Sequence, residues 1–185
     1  MHKLLVVIDY QKDFVDGALG FPKAAALDEG IAQRIQSYLA AGENVLFTYD
    51  THSDRYLETR EGRALPVSHC ISGSAGWSLY GKTQEQLCET CCNRQIHTVR
   101  KVSFGMAPAD VVALAAELGE VQEILLVGVV TNMCVISNAV LLQSQWPEAQ
   151  ITIDASLCAS FDDTLHEKAL DIMESLQMHI IHREV

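Results

Sequence analysis

Three chemically able side chains, Asp9, Lys101 and Cys134, lie far apart in the sequence, and each comes at or just after the end of an apolar run. A thiol that attacks an amide carbonyl needs a base for its proton, a cation to steady the thiolate, and donors aimed at the oxygen that turns negative. Asp9 can take that proton and return it to a departing amine, provided burial raises its pKa towards the working pH. Lys101 can hold the thiolate. The backbone N–H groups of Val130 and Cys134, where a strand gives way to a helix, can serve the oxyanion without any side chain. Alone, each residue has a plainer reading: a core cysteine, a strand-end carboxylate capping a loop, a solvated lysine. Together they point to nucleophilic catalysis.

A second group suggests a metal. Asp50-Thr51-His52 is followed by His69-Cys70. Alternate residues of an extended segment face the same side, so Asp50 and His52 can reach one ion, and a loop can return His69 to it. Zinc accepts such a set, as do iron and manganese. Spacing alone makes this a weak signal. Cys88 and Cys91 have C-x-x-C spacing, but no second pair completes a structural zinc site.

These residues need a scaffold that gathers them. Residues 4–8, 44–49, 96–100, 124–130, 151–153 and 179–181 read as strands, mostly apolar and suited to burial on both faces. Between them the spacing predicts helices through Leu27, Ile31 and Ile35, over 83–92, and from Pro108 to Leu118, whose inward face is Val111, Leu114, Ala115 and Leu118. Another helix runs from Met133 to Trp146 with Asn132 as N-cap, and a last one carries Leu165, Ala169, Ile172, Met173 and Leu176 inward. Residues 10–22 read as loop, and 51–79 lack periodicity, which in a compact domain favours a functional segment. Strict alternation of strand and helix predicts an α/β protein: a three-layer doubly wound, Rossmann-like fold around a six-stranded parallel sheet. Ligands then collect beyond the carboxyl ends of the strands, where Asp9, Asp50, Lys101 and Cys134 all fall. In the first turn of its helix, Cys134 would have its thiol pKa drawn down with a cation nearby.

Composition narrows the partners. The 185 residues carry a formal charge of −11, enough chain for one domain spanning 1–185. No basic cluster offers a footprint for nucleic acid or an anionic membrane. No signal-peptide pattern or bilayer-length apolar run is present, so a cytoplasmic protein with reduced cysteines and a small-molecule substrate is expected.

The sequence resembles the isochorismatase-like cysteine hydrolases, and within them the nicotinamidases. Asp9-Tyr10-Gln11-Lys12-Asp13-Phe14 is similar to the family's D-x-Q-x-x-F opening, Lys101-Val102-Ser103-Phe104 to its lysine segment, and Gly128-Val129-Val130-Thr131-Asn132-Met133-Cys134-Val135 to its G-V-x-T-x-x-C-V signature. The resemblance implies Cys134 as nucleophile, Asp9 as acid and base, Lys101 as third member, and a cis Val129–Val130 peptide turning N–H groups towards the oxyanion. It strengthens Asp50, His52 and His69 as ligands of one divalent ion, with Glu61 favoured over Glu58 as the fourth. Beside the resemblance, Phe14 can pack against a flat substrate ring, with a core phenylalanine as its plainer reading; Trp77 and Phe104 are weaker candidates. The implied reaction is nicotinamide to nicotinate and ammonia through a thioester, by a homo-oligomeric enzyme. Rival readings are hydrolysis of another small amide or ureido compound, and a non-catalytic member that keeps the pocket.

Overall fold

A computed structural model describes residues 2–89 and 93–183. Its parallel strands are β1 (Lys3–Ile8), β2 (Asn44–Asp50), β3 (Ile96–Lys101), β4 (Glu123–Val129), β5 (Gln150–Ala159) and β6 (His179–Ile181). They form one sheet in the order β3-β2-β1-β4-β5-β6. The helices are α1 (Lys12–Val15), α2 (Pro22–Ala25), α3 (Asp28–Ala40), α4 (Arg60–Ala64), α5 (Gly81–Glu89), α6 (Pro108–Leu118), α7 (Ile136–Gln145) and α8 (Asp163–Ser175). The expected doubly wound α/β architecture is present.

β1 explains the layering. Leu4, Val6 and Ile8 face one core with Leu114, Val135, Leu142 and Met173, whereas Leu5 and Val7 face the other with Ile31, Ile35 and Phe47. These five β1 side chains, all but Lys3, are fully buried, each contributing roughly 1.5–3 kcal/mol relative to an exposed position. A strand with no polar face must sit in the middle of the sheet, and β1 pairs with both β2 and β4. Strand order reverses between β1 and β4, which opens the crevice just beyond Ile8 and Val129.

Several local expectations are corrected. Residues 10–22, read as loop, carry α1 and the start of α2, with Pro22 in the first turn, where its missing N–H costs nothing. Residues 51–79 hold a 3₁₀ turn, Tyr56–Glu58, and α4, which begins where the Thr59 hydroxyl accepts from Gly62 N–H. β5 runs on to Ala159 past a register shift against β4 that period-two reasoning cannot see. A wide turn, Thr131–Val135, precedes α7, and Asn132 accepts a bond from Ser160 instead of capping the helix. On α8 the inward residues are Ala169, Leu170 and Met173; Leu165, Ile172 and Leu176 are exposed, because the apolar residues occupy two adjoining stripes and only one meets the sheet. The Cys88–Cys91 pair lies outside the residues whose side chains are described. Cys70, Cys134 and Cys158 are free and buried. Among the described residues no helix is long and apolar enough to cross a membrane.

Gly128 lets the central strands approach. Its φ is +114°, and a Cβ built on it would lie 2.2 Å from the Ile8 carbonyl oxygen, so any side chain meets both backbone strain and the neighbouring strand. Gly128→Ala is therefore expected to destabilise the fold by about 3 kcal/mol or more in chemical denaturation; an unchanged midpoint and slope would contradict this close approach.

Candidate active site

β2 and β3 end in register, Asp50 opposite Lys101, and Asp9 follows β1. The Lys101 ammonium lies 2.6 Å from Asp9 Oδ2, 3.6 Å from Asp50 Oδ1 and 3.6 Å from Cys134 Sγ, and donates to the Ser103 carbonyl at 2.9 Å. Asp9, Lys101 and Cys134 are all buried, at 0%, 3% and 5% exposure. The structure thus brings together the three residues that the sequence singles out. Thr48 supports them: its hydroxyl donates to Asp9 Oδ1 at 2.7 Å and accepts from Asp9 N–H at 3.1 Å. Asp9 itself has φ of 45°, a left-handed conformation that a non-glycine residue holds only where surrounding contacts over-determine it.

Burial sets the resting protonation. It pushes the Asp9 carboxyl above its usual value against the pull of Lys101, with Asp50 adding to the rise. It works against the Lys101 ammonium too, but Asp9, Cys134 and Asp50 outweigh it and hold the charge in place. The Cys134 thiol is raised well above its ordinary value, first by burial and then by the Asp9 charge, despite Lys101. This corrects the expectation of a lowered thiol pKa. Cys134 stands inside a buried wide turn, not at a solvent-facing helix tip, and desolvation penalises a thiolate more than the local dipole helps it. Asp9 Oδ2 has its ammonium contact but no well-aligned hydrogen bond, so it keeps a lone pair free to receive a thiol proton.

The turn bearing Cys134 is held from below. Met133 N–H and Val135 N–H donate to the Val130 carbonyl at 3.0 and 3.2 Å, and the Val129–Val130 peptide is cis. One turn on, the fully buried Asn138 donates to the carbonyls of Cys134 at 2.7 Å and Phe104 at 3.1 Å, and accepts from Met106 N–H at 2.9 Å. Sequence reasoning missed Asn138, although an amide four residues after the thiol in an otherwise apolar stretch was a usable signal. Thr48 gave none, since a threonine inside a strand is ordinary.

Beside this trio, Asp50 Oδ2 lies 3.0 Å from His52 Nε2 and 3.3 Å from His69 Nε2, and Glu61 Oε1 is 4.0 Å from His52 Nε2. One potential ligand atom from each of Asp50, His52, Glu61 and His69 lies within 4.8 Å of the others. Gln11, the glutamine of the D-x-Q motif, grips the Asp50 main chain from both sides: Nε2 donates to its carbonyl at 2.9 Å and Oε1 accepts its N–H at 2.8 Å. His69 Nδ1 pairs with the Val67 carbonyl at 2.8 Å, leaving Nε2 facing the cluster. Glu58 is exposed and paired with Arg55 at 3.0 Å, away from the group. Burial raises the Asp50 carboxyl, but its bonds to His52 and His69 and the nearby Lys101 prevail and hold it below the usual range. Two carboxylates and two imidazoles converging in a pocket form a donor set suited to one divalent cation. Cys70 is outside this set: its N–H donates to Asp13 Oδ2 at 2.8 Å, and burial pushes its thiol up.

A cavity of about 270 Å³ joins the two groups, lined by Asp50, Glu61 and His69 at one side and Val130 and Cys134 at the other. Its walls include Phe14, whose ring sits 5.4 Å from His69, and Phe104. Leu19, Leu65, Met133 and Phe161 complete the lining; nothing in the sequence pattern marked Leu19, Leu65 or Phe161. Trp77 packs instead on Tyr49 and Arg100 and donates to Thr51 Oγ1 at 2.9 Å, which makes it a structural residue.

Comparison with known proteins agrees with this fold. An isochorismatase family protein, PncA, from Bacillus subtilis (strain 168) is 28% identical over 174 residues, covering 92% of this chain and 93% of that one. The crystal structure of nicotinamidase/pyrazinamidase PncA from Bacillus subtilis superposes with a TM-score of 0.87 at 28% identity, covering 97% and 99% of the two chains. That of pyrazinamidase/nicotinamidase from Streptococcus mutans UA159 gives 0.87 at 29% identity with the same coverage. The family model for the isochorismatase domain matches residues 3–185, and by that match, over the fold and the gathered side chains just described, the chain belongs to the isochorismatase domain family.

Proposed function

We propose that this protein is an amidohydrolase that converts nicotinamide to nicotinate and ammonia through a thioester on Cys134, within one domain spanning residues 1–185. The observation that carries the reading is a single cavity of about 270 Å³ with Cys134, backed by Asp9 and Lys101, at one side and Asp50, Glu61 and His69 of the cluster that includes His52 at the other. A flat ring and a carboxamide suit a pocket with apolar walls, a thiol at one end and cation ligands at the other. The two solved relatives, each a nicotinamidase and pyrazinamidase by name, favour the same substrate class.

The residues divide the work as follows. Cys134 Sγ attacks the carboxamide carbon while Asp9 takes the thiol proton, so no free thiolate has to exist beforehand. Negative charge growing on the carbonyl oxygen is received by the N–H groups of Val130 and Cys134. Asp9 passes its proton to the departing nitrogen, which leaves as ammonia, and Cys134 is left acylated. A water that gives one proton to Asp9 attacks the thioester; the carbon–sulfur bond breaks, Asp9 returns that proton to sulfur, and nicotinic acid departs and ionises to nicotinate, its proton going to the released ammonia. Lys101 stays protonated throughout, offsetting the Asp9 charge. Asp50, His52, His69 and Glu61 would hold a divalent ion, zinc or alternatively iron or manganese, and that ion would anchor the pyridine nitrogen and orient the ring. Phe14 stacks the ring from the side.

Purified protein is expected to release ammonia from nicotinamide, and Cys134→Ala to lose at least ~10⁴-fold in kcat while its unfolding midpoint stays near the wild-type value. Appreciable residual turnover by the pure variant would overturn the role given to the thiol. Thorough chelation should lower turnover about 10-fold or more, with remetallation restoring it, and His69→Ala should retain far less metal than wild type. Undiminished activity in protein shown by elemental analysis to be metal-free would remove the ligand assignment.

A further inference from the structure

The side chains that hold the Cys134 turn do not all come from the site. Thr131, fully buried and one residue beyond Val130, has its hydroxyl 2.9 Å from Nδ1 of His166 on α8. The next residue, Asn132, is tied to Ser160, which lies just past the end of β5, at 2.8 Å. His166 lines no part of the cavity that holds Cys134. It borders a separate cavity of about 450 Å³ between α2 and α8, whose charges are already satisfied: Lys23 pairs with Asp163, and Arg183 with Glu167 and Asp171. The imidazole is half-buried, and among the described residues its other nitrogen has only a distant contact with Glu167 at 3.9 Å and its one close polar partner is the Thr131 hydroxyl. α8 also packs on the turn through the core that Val135 shares with Ala169, Leu170 and Met173, and the Thr131–His166 bond adds a polar link between them.

We propose that His166 is a positioning residue: through Thr131 it fixes the turn so that the Val130 and Cys134 N–H groups point at the oxygen of the substrate carbonyl. The inference rests on the acyl-transfer reading above and extends it to a residue outside the pocket. Oxyanion donors act only when already aimed, and misplacement by a fraction of an ångström is costly in the transition state while leaving ground-state binding nearly untouched. Loss of the His166 contact must therefore fall on kcat far more than on KM.

The test separates donor alignment from thiol chemistry and from substrate choice. Acylation of Cys134 by p-nitrophenyl acetate forms the sulfur–acetyl bond, releases p-nitrophenolate and requires the oxyanion donors, but needs neither a pyridine ring nor a metal. Alkylation by iodoacetamide displaces iodide, requires the same thiol and needs no oxyanion donor. With the Cys134→Ala background subtracted, His166→Leu is expected to slow acylation about 10–100-fold at unchanged alkylation rate and unfolding midpoint. Thr131→Val should do the same. His166→Asn, which places an amide atom where Nδ1 stood, should recover most of the loss. Equal losses in acylation and alkylation, or no loss in either, would overturn the proposal, as would failure of Asn to restore more than Leu in a variant that unfolds normally. Failure of the nicotinamide reading would appear separately, as wild-type protein that acylates with the ester yet releases no ammonia from nicotinamide.

Discussion

One buried ammonium governs the arrangement of this protein. Lys101 sits at 3% exposure, and a charge taken that far out of water costs several kcal/mol unless paired. Its partners lie on other strands. Lys101 ends β3, Asp50 ends β2 and Asp9 follows β1, so the reach from Lys101 to Asp9 crosses two strand spacings, roughly 10 Å between backbones. A lysine meeting an aspartate can span that gap, and a shorter cation could not. The sheet order β3-β2-β1-β4 then delivers the fourth member, Cys134, from the far side of β1. Removal of the ammonium would leave two carboxylates facing each other in a dry crevice.

The same charge joins the two halves of the site. Asp50 turns one oxygen towards Lys101 and the other towards His52 and His69, so the cation cluster and the thiol are built around a shared carboxylate and cannot drift apart independently. That coupling suits a substrate gripped at both ends, where a rigid distance between the ring anchor and the reacting carbon converts binding into orientation. Burial does the opposite of what a free thiolate would need, and this is why the proposed chemistry moves the Cys134 proton to Asp9 during attack. Around this centre the rest of the chain serves as support: Thr48 under Asp9, Gln11 under Asp50, Asn138 under Cys134.

Strands and the convergence of Asp9, Lys101 and Cys134 were legible in the sequence because long apolar runs ending in charged residues have few readings other than buried parallel strands. Asp50, His52 and His69 were legible through local spacing, and Glu61 became so only by family resemblance. What spacing could not show was long-range. The wide turn at Thr131–Val135 looks like an ordinary helix start, and only its burial reverses the expected effect on the thiol. Exposure of Leu165 and Ile172 depends on which of two apolar stripes meets the sheet, a tertiary choice that periodicity leaves open. Leu19, Leu65 and Phe161 reach the cavity from three separate connections, and no local pattern records that meeting.

The central claim is that Asp9, Lys101 and Cys134 work as one acyl-transfer unit, and its most direct measurement is to catch the acyl group. Protein mixed with excess nicotinamide, quenched in acid during turnover and digested for mass spectrometry should carry a nicotinoyl group on the peptide containing Cys134, formed and lost at rates compatible with ammonia release. Steady turnover with no such adduct at any quench time, or an adduct on a different residue, would contradict the account.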